Sequence, residues 1–218
     1  MIIQNVFGHK VIRLQCTDES LYRNEDLTKS VNQVFNLPKV KNRIRSEKND
    51  SHKGSGLTTV GQEYLDLVHL PGSHDLVQWV TKQLIMVHKE LGIDKEVNSV
   101  YYKRSWANRL FRSGQGLCHN HVQLDGYMKE MTNLDDKGFR PDAVAIFYVD
   151  VPEGSSDLVM VNNGVADTYL EDYEESDKYH LKPKEGEMII HSPDVWHAVS
   201  VHNSDLPRNV FVFDIDYV

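Results

Sequence analysis

"KPKEGEMIIHSPDVWHAVSVHNSDLPRNVFVFDIDYV", residues 182–218, contains three apolar runs separated by turn-forming residues. The runs "EMII", "HAVSV" and "NVFVFDIDYV" are rich in Val, Ile and Phe, and "HSPD" and "NSDLP" separate them. β-Branched and aromatic runs bounded by Pro, Asn, Asp and Ser read as short strands joined by turns. Upstream, "SVYYKRSWAN" (99–108), "AVAIFYVDV" (143–151) and "DLVMV" (157–161) share that texture. From about residue 98 the chain therefore reads as mainly β, a sandwich or barrel.

A helix supports it. In "GSHDLVQWVTKQLIMVHKELG" (72–92), Leu76, Val80, Leu84, Val87 and Leu91 recur at a helical period, with Ser73 and Gly92 as start and stop. The opening "MIIQNVFGHKVIRLQC" reads as a strand. The polar, locally basic stretch 37–56, closed by Gly-Ser-Gly, reads as a loop. These features divide the chain into an N-terminal strand and loop region, 1–56, and a β domain with its support helix, 57–218. The acidic stretch 171–180 reads as a solvated loop.

The 218 residues suffice to bury a core without disulfides or metal staples. A net charge of −8 argues against a nucleic-acid surface as the main partner. Two cysteines, Cys16 and Cys118, without a Cys-x-x-Cys pair, suit a reducing interior. No apolar run approaches the roughly 18–20 residues of a membrane span. The expected location is the cytoplasm.

Chemistry concentrates in "GQGLCHNHVQLDG" (114–126). On an extended strand, His119 and His121 point to one face, as two ligands of a metal or as polar residues of a solvated face. Among the later histidines, His180 falls in the acidic loop, and His191 and His202 flank turns. His197 stands at the entrance to an apolar strand, where it can close the site. Asp125 is the weaker candidate, because residues four apart on a strand are separated by about 13 Å. Arg208, eleven residues after His197, is expected on the neighbouring strand of a hairpin, able to fork onto a carboxylate.

Taken together, these pieces resemble the non-haem Fe(II), 2-oxoglutarate-dependent oxygenases, and within them a branch of small bacterial and phage proteins. The resemblance covers roughly residues 55–218. It rests on "GLTTVGQEYLDLVHLPG" (56–72) with the helix after it, "SWAN" (105–108), "HNH" (119–121) with "AVAIFYVDVPEGSSDLVMV" (143–161), and the closing segment from Lys182. It implies a double-stranded β-helix, that is, a cupin-like jelly roll. It further implies iron held by His119, His121 and His197, and 2-oxoglutarate held by Arg208, with Trp106 and Asn108 shaping its pocket. The activity implied is hydroxylation of a small molecule or protein side chain by O2, with 2-oxoglutarate converted to succinate. The assembly is left open, a homodimer being compatible.

The chain departs from the wider superfamily at position 121. Most members carry a carboxylate there, which completes a two-histidine, one-carboxylate triad. Residues 126–142 look like an insertion bearing on the substrate. Two other readings compete. "HNHVQLD" also fits the first motif of a cupin that binds metal without using 2-oxoglutarate. A non-catalytic jelly-roll structural protein would place the histidine pair on an exposed strand face.

Overall fold

The computed structural model describes residues 1–43, 52–53, 56–59, 66–122 and 140–218. Asp125 and most of the 126–142 insertion lie outside them.

The N-terminal stretch folds as two strands rather than one, β1 (Ile2–Val6) and β2 (His9–Gln15). They form a hairpin because Phe7 and Gly8 both take positive φ, 49° and 84°, the conformation of a tight two-residue turn. Helix α1 (Glu25–Phe35) follows, its first turn capped by Asn24, whose side chain accepts from Leu27 N at 2.8 Å.

Part of the 37–56 stretch, expected to be a loop, is ordered into α2 (Pro38–Arg43), β3 (His52–Lys53) and β4 (Gly56–Thr58). Pro38 preorganises the first position of α2, and buried Val40 anchors it. Helix α3 (His74–Val87) matches its expected period. Leu76, Val80, Leu84 and Val87 are fully buried, and Gly92 terminates the following turn at φ 84°.

The remaining strands are β5 (Val100–Leu110), β6 (Gln115–His119), β7 (Ala143–Asp150), β8 (Leu158–Val161), β9 (Lys178–Leu181), β10 (Glu187–His191), β11 (His197–Val199) and β12 (Arg208–Tyr217). β9 occupies the end of the acidic stretch that reads as a loop. Its Leu181 is buried and pairs with Leu158 across the sheet.

Among the described residues two antiparallel sheets result. One has seven strands in the order β1-β2-β10-β7-β12-β5-β4, the other five in the order β3-β6-β11-β8-β9. This is a mainly β, jelly-roll architecture with helices on one outer face. Because β2 pairs with β10, residues 9–15 belong to the same sheet as the C-terminal strands.

The seven-stranded sheet is covered on both faces, and alternation along its strands assigns each residue to one side. Ala143, Ala145, Phe147 and Val149 of β7 pack with the helices, as do Phe211 and Phe213 of β12. Val144, Ile146 and Tyr148 join Val210 and Val212 in the layer between the sheets. This two-sided burial explains why β7 reads as an unbroken apolar run. It also means that a charged residue at an even offset from Val210, such as Arg208 or Asp214, faces the inter-sheet layer.

Candidate metal centre

His119 is the last residue of β6, and His121 lies just beyond the strand rather than on it. The segment is fixed by a backbone bond from His121 N to Pro193 O at 2.9 Å. β11 runs beside β6 with His197 opposite His119, followed by an irregularity before Val199. Three imidazoles therefore converge. Ring centroids are 4.4 Å apart for His119 and His197, 5.2 Å for His121 and His197, and 5.5 Å for His119 and His121. Their ligand nitrogens all lie within 4.8 Å of one another. Two nitrogens bound to one ion at about 2.1 Å are at most roughly 4 Å apart, so small side-chain adjustments close the set.

The hydrogen bonds specify which nitrogens would bind. His119 Nδ1 donates to Leu117 O at 2.8 Å and His197 Nδ1 to Val195 O at 3.0 Å. His121 Nδ1 donates to Asp214 Oδ1 at 2.6 Å. A carbonyl or carboxylate oxygen only accepts, so each Nδ1 carries a proton, and in the neutral ring that a metal requires Nε2 carries the lone pair. Hydrogen bonds of this kind, made by the ring nitrogen that does not bind the ion, fix tautomer and ring orientation in metal-binding histidines.

His121 and His197 are buried, 5% and 2% exposed. That removes the solvated strand face required by the non-catalytic reading. His197 opens β11, at the entrance to the apolar strand as expected, and there it is packed against three other imidazoles.

The third of these is His191, which the sequence places beside a turn. It is fully buried, with its ring centroid 5.0 Å from His197 and 6.2 Å from His121. Its Nδ1 donates to Ser192 O, and its Nε2 is buried without a partner. The sequence signal was modest: a histidine closing the apolar run "EMII".

Two further residues escaped the sequence reading. Asp214, fully buried, accepts from His121 and from Arg104, whose Nη2 and Nε lie at 2.6 and 2.9 Å. Asp214 and Arg104 are opposite each other on β12 and β5. Burial would raise the Asp214 carboxyl, but His121 and then Arg104 outweigh it and hold the group below its ordinary value. A charged residue inside "FVFDIDYV" was the available clue.

Arg208 is 2% exposed and enters from the seven-stranded sheet, between β5 and β7. The hairpin expected between the His197 and Arg208 strands does not form, because β11 belongs to the other sheet. The guanidinium lies 4.9 Å from the Tyr148 ring centroid. Arg208 Nε and Tyr148 Oη are both buried and unpartnered. Burial lowers the Arg208 pKa and pushes the Tyr148 hydroxyl up to about 12.

Trp106 stacks on His121 at 5.8 Å with an interplanar angle of 23°. The Asn108 amide, with its oxygen toward Trp106 Nε1 (3.3 Å) and its nitrogen toward Thr58 Oγ1 (2.6 Å), braces that ring.

The buried imidazoles make the metal-free protein sensitive to acid. Burial first, then the neighbouring rings, holds His197 well below 6.5, and burial lowers His191 to about 4. Below pH 6.5 the unfolded chain takes up protons that the folded state refuses, so stability present above pH 6.5 is lost toward pH 4. His191 alone accounts for roughly 3 kcal/mol. Urea unfolding at pH 7.5, 6 and 5 with chelator present checks this: midpoints independent of pH would contradict neutral, buried imidazoles.

No family model and no curated protein sequence matches the chain. Its fold is similar to solved structures. A 2OG-Fe(II) oxygenase family oxidoreductase from Burkholderia pseudomallei aligns over 94% of this chain and 84% of its own, at 11% identity and a TM-score of 0.53. The viral collagen prolyl hydroxylase of Paramecium Bursaria Chlorella virus-1, solved with 2OG, aligns over 95% and 96%, at 11% identity and 0.53. The non-heme alpha-ketoglutarate-dependent carbocyclase SnoK of nogalamycin biosynthesis aligns over 94% and 79%, at 10% identity and 0.55. The shared property is the jelly-roll fold over nearly the whole chain. No helix among the described residues is long and apolar enough to cross a membrane.

Proposed function

We propose that this protein is an Fe(II)- and 2-oxoglutarate-dependent oxygenase that hydroxylates a small molecule or a protein side chain. The observation that carries this reading is the buried cluster of His119, His121 and His197, with all three Nδ1 protons committed elsewhere. Imidazole donors suit iron, as they do zinc, copper and nickel. The fold is the one on which the similar enzymes are built.

The residues present fit both groups. His119, His121 and His197 would hold the metal through Nε2. Arg208 would hold the far carboxylate of the keto acid by paired, charge-assisted bonds, and its orphaned Nε is the observation behind that assignment. Tyr148 Oη, equally unpartnered, is placed to donate to the same carboxylate. When bound, iron and 2-oxoglutarate supply the oxidising power by oxidative decarboxylation of the keto acid with O2. The chain supplies the rest. Trp106, braced by Asn108, keeps the His121 ring in plane, and Val210, Val212 and Ile146 line the layer between the sheets that excludes water.

One observation favours a second reading. His121 stands where a carboxylate would complete the usual triad, and three-histidine metal sites also serve proteins that use no keto acid. Anaerobic titration with Fe(II), with and without 2-oxoglutarate, separates the two. The proposed function requires a visible charge-transfer band that needs both components. Iron binding without that band at any keto-acid concentration would favour the cupin-type reading, and no iron binding would refute both.

A further inference from the structure

The cluster of three imidazoles has a carboxylate one bond away. Asp214 lies behind His121 at 2.6 Å, fully buried, and its other oxygen faces Arg104. Trp106 closes the arrangement, stacked on His121 and with its ring centroid 5.6 Å from the Arg104 guanidinium. Of the Nδ1 bonds made by the three clustered imidazoles, that of His121 goes to an acid, whereas those of His119 and His197 go to backbone carbonyls. The histidine nearest the cluster, His191, directs its Nδ1 proton to a backbone carbonyl, as His119 and His197 do.

We propose that Asp214 is the charge-supplying residue of this centre, a positioning residue that acts on the metal through His121. On this proposal the carboxylate usual at position 121 is not lost but displaced one shell outward, with the imidazole as relay. The inference rests on the metal-site reading above and deepens it.

The physical argument has two parts. A dication held by three neutral nitrogens in a dry layer is poorly compensated, and a buried carboxylate accepting the distal proton makes the ligating nitrogen a stronger donor. Arg104 tunes this effect. It neutralises part of the Asp214 charge in the metal-free protein, where an unpaired buried carboxylate would be costly. Bound metal and Arg104 therefore compete for the same anion. A residue that merely maintained the fold would carry no such competition, which gives the two partners opposite signatures.

The test is Co(II) and anaerobic Fe(II) binding to the full chain, measured by chelator competition, for the parent, Asp214→Asn and Arg104→Met. Melting of each metal-free protein controls for folding, and the visible ligand-field spectrum of the Co(II) form reports donor strength at His121. Asp214→Asn, nearly isosteric, is expected to weaken metal binding roughly 10- to 100-fold and to shift the Co(II) bands while three nitrogens stay bound. Arg104→Met is expected to melt earlier without metal yet to bind metal several-fold more tightly. Unchanged affinity and spectrum in Asp214→Asn, with a parent that binds, would overturn the proposal and leave the metal site standing. Weakened binding in both variants would also overturn it, since a shared structural role explains that pattern. A parent that binds neither ion would remove the underlying metal-site reading as well.

Discussion

His197→Ala is expected to weaken Fe(II) and Co(II) binding by on the order of a hundredfold or more. Structural metal sites with four ligands contribute roughly 10–16 kcal/mol, or about 3 kcal/mol for each ligand. His197 sits centrally, with its ring centroid 4.4 Å from His119 and 5.2 Å from His121. Its loss leaves two nitrogens that cannot enclose an ion. The control is stability. The parent should gain ~2.7 kcal/mol at a hundredfold excess of metal over its dissociation constant, a visible shift in a melt, and the variant at the same metal concentration should gain at most about 0.4 kcal/mol. Because the ring is buried, the metal-free variant should also melt somewhat lower, having lost packing and the bond to Val195 O. A variant that keeps full affinity would show that the ion sits elsewhere.

Arg208→Met is the second large effect, and it should separate the metal from the keto acid. Deleting the buried cation removes the partner for the distal carboxylate, a loss of roughly 2–5 kcal/mol by the measure of buried charge pairs. The 2-oxoglutarate concentration needed for half-saturation should rise about a hundredfold, while Fe(II) binding without keto acid stays as in the parent. Stability should move the other way. Arg208 is a charge in a dry layer with an unpartnered Nε, and burial already lowers its pKa. An apolar side chain of similar length should leave the ligand-free protein as stable or more so. An unchanged keto-acid requirement would sink this role for Arg208, and lost iron binding would place the residue in the metal site instead.

The two effects come from different sheets, which separates what was legible in the chain from what was not. His119 and His121 announce themselves by spacing, and His197 by its position before an apolar run. Arg208 stands out as a charged residue opening an apolar strand. Its route to the interior was not legible. A turn-linked pair of strands reads as a hairpin, but β11 pairs with β6 and β8, while β12 crosses to lie between β5 and β7. Turn chemistry shows that the chain reverses, not which sheet receives it. The same gap hid His191, whose place next to a turn gives no sign of the ring cluster it joins. In fact β10 lies between β2 and β7, and that sheet carries its ring into the centre.

By itself the sequence determined the class of the fold, the support helix and the three histidines, because each is written in local spacing. Strand periodicity gives the face of residues within a regular strand, and helical periodicity gives the buried stripe of α3. Only the tertiary structure decided which faces meet. Asp214 and His121 are 93 positions apart and share no motif. Their bond exists because the inter-sheet face of β12 is laid against the end of β6, which fixes the pairing through sheet packing rather than through any stretch of sequence.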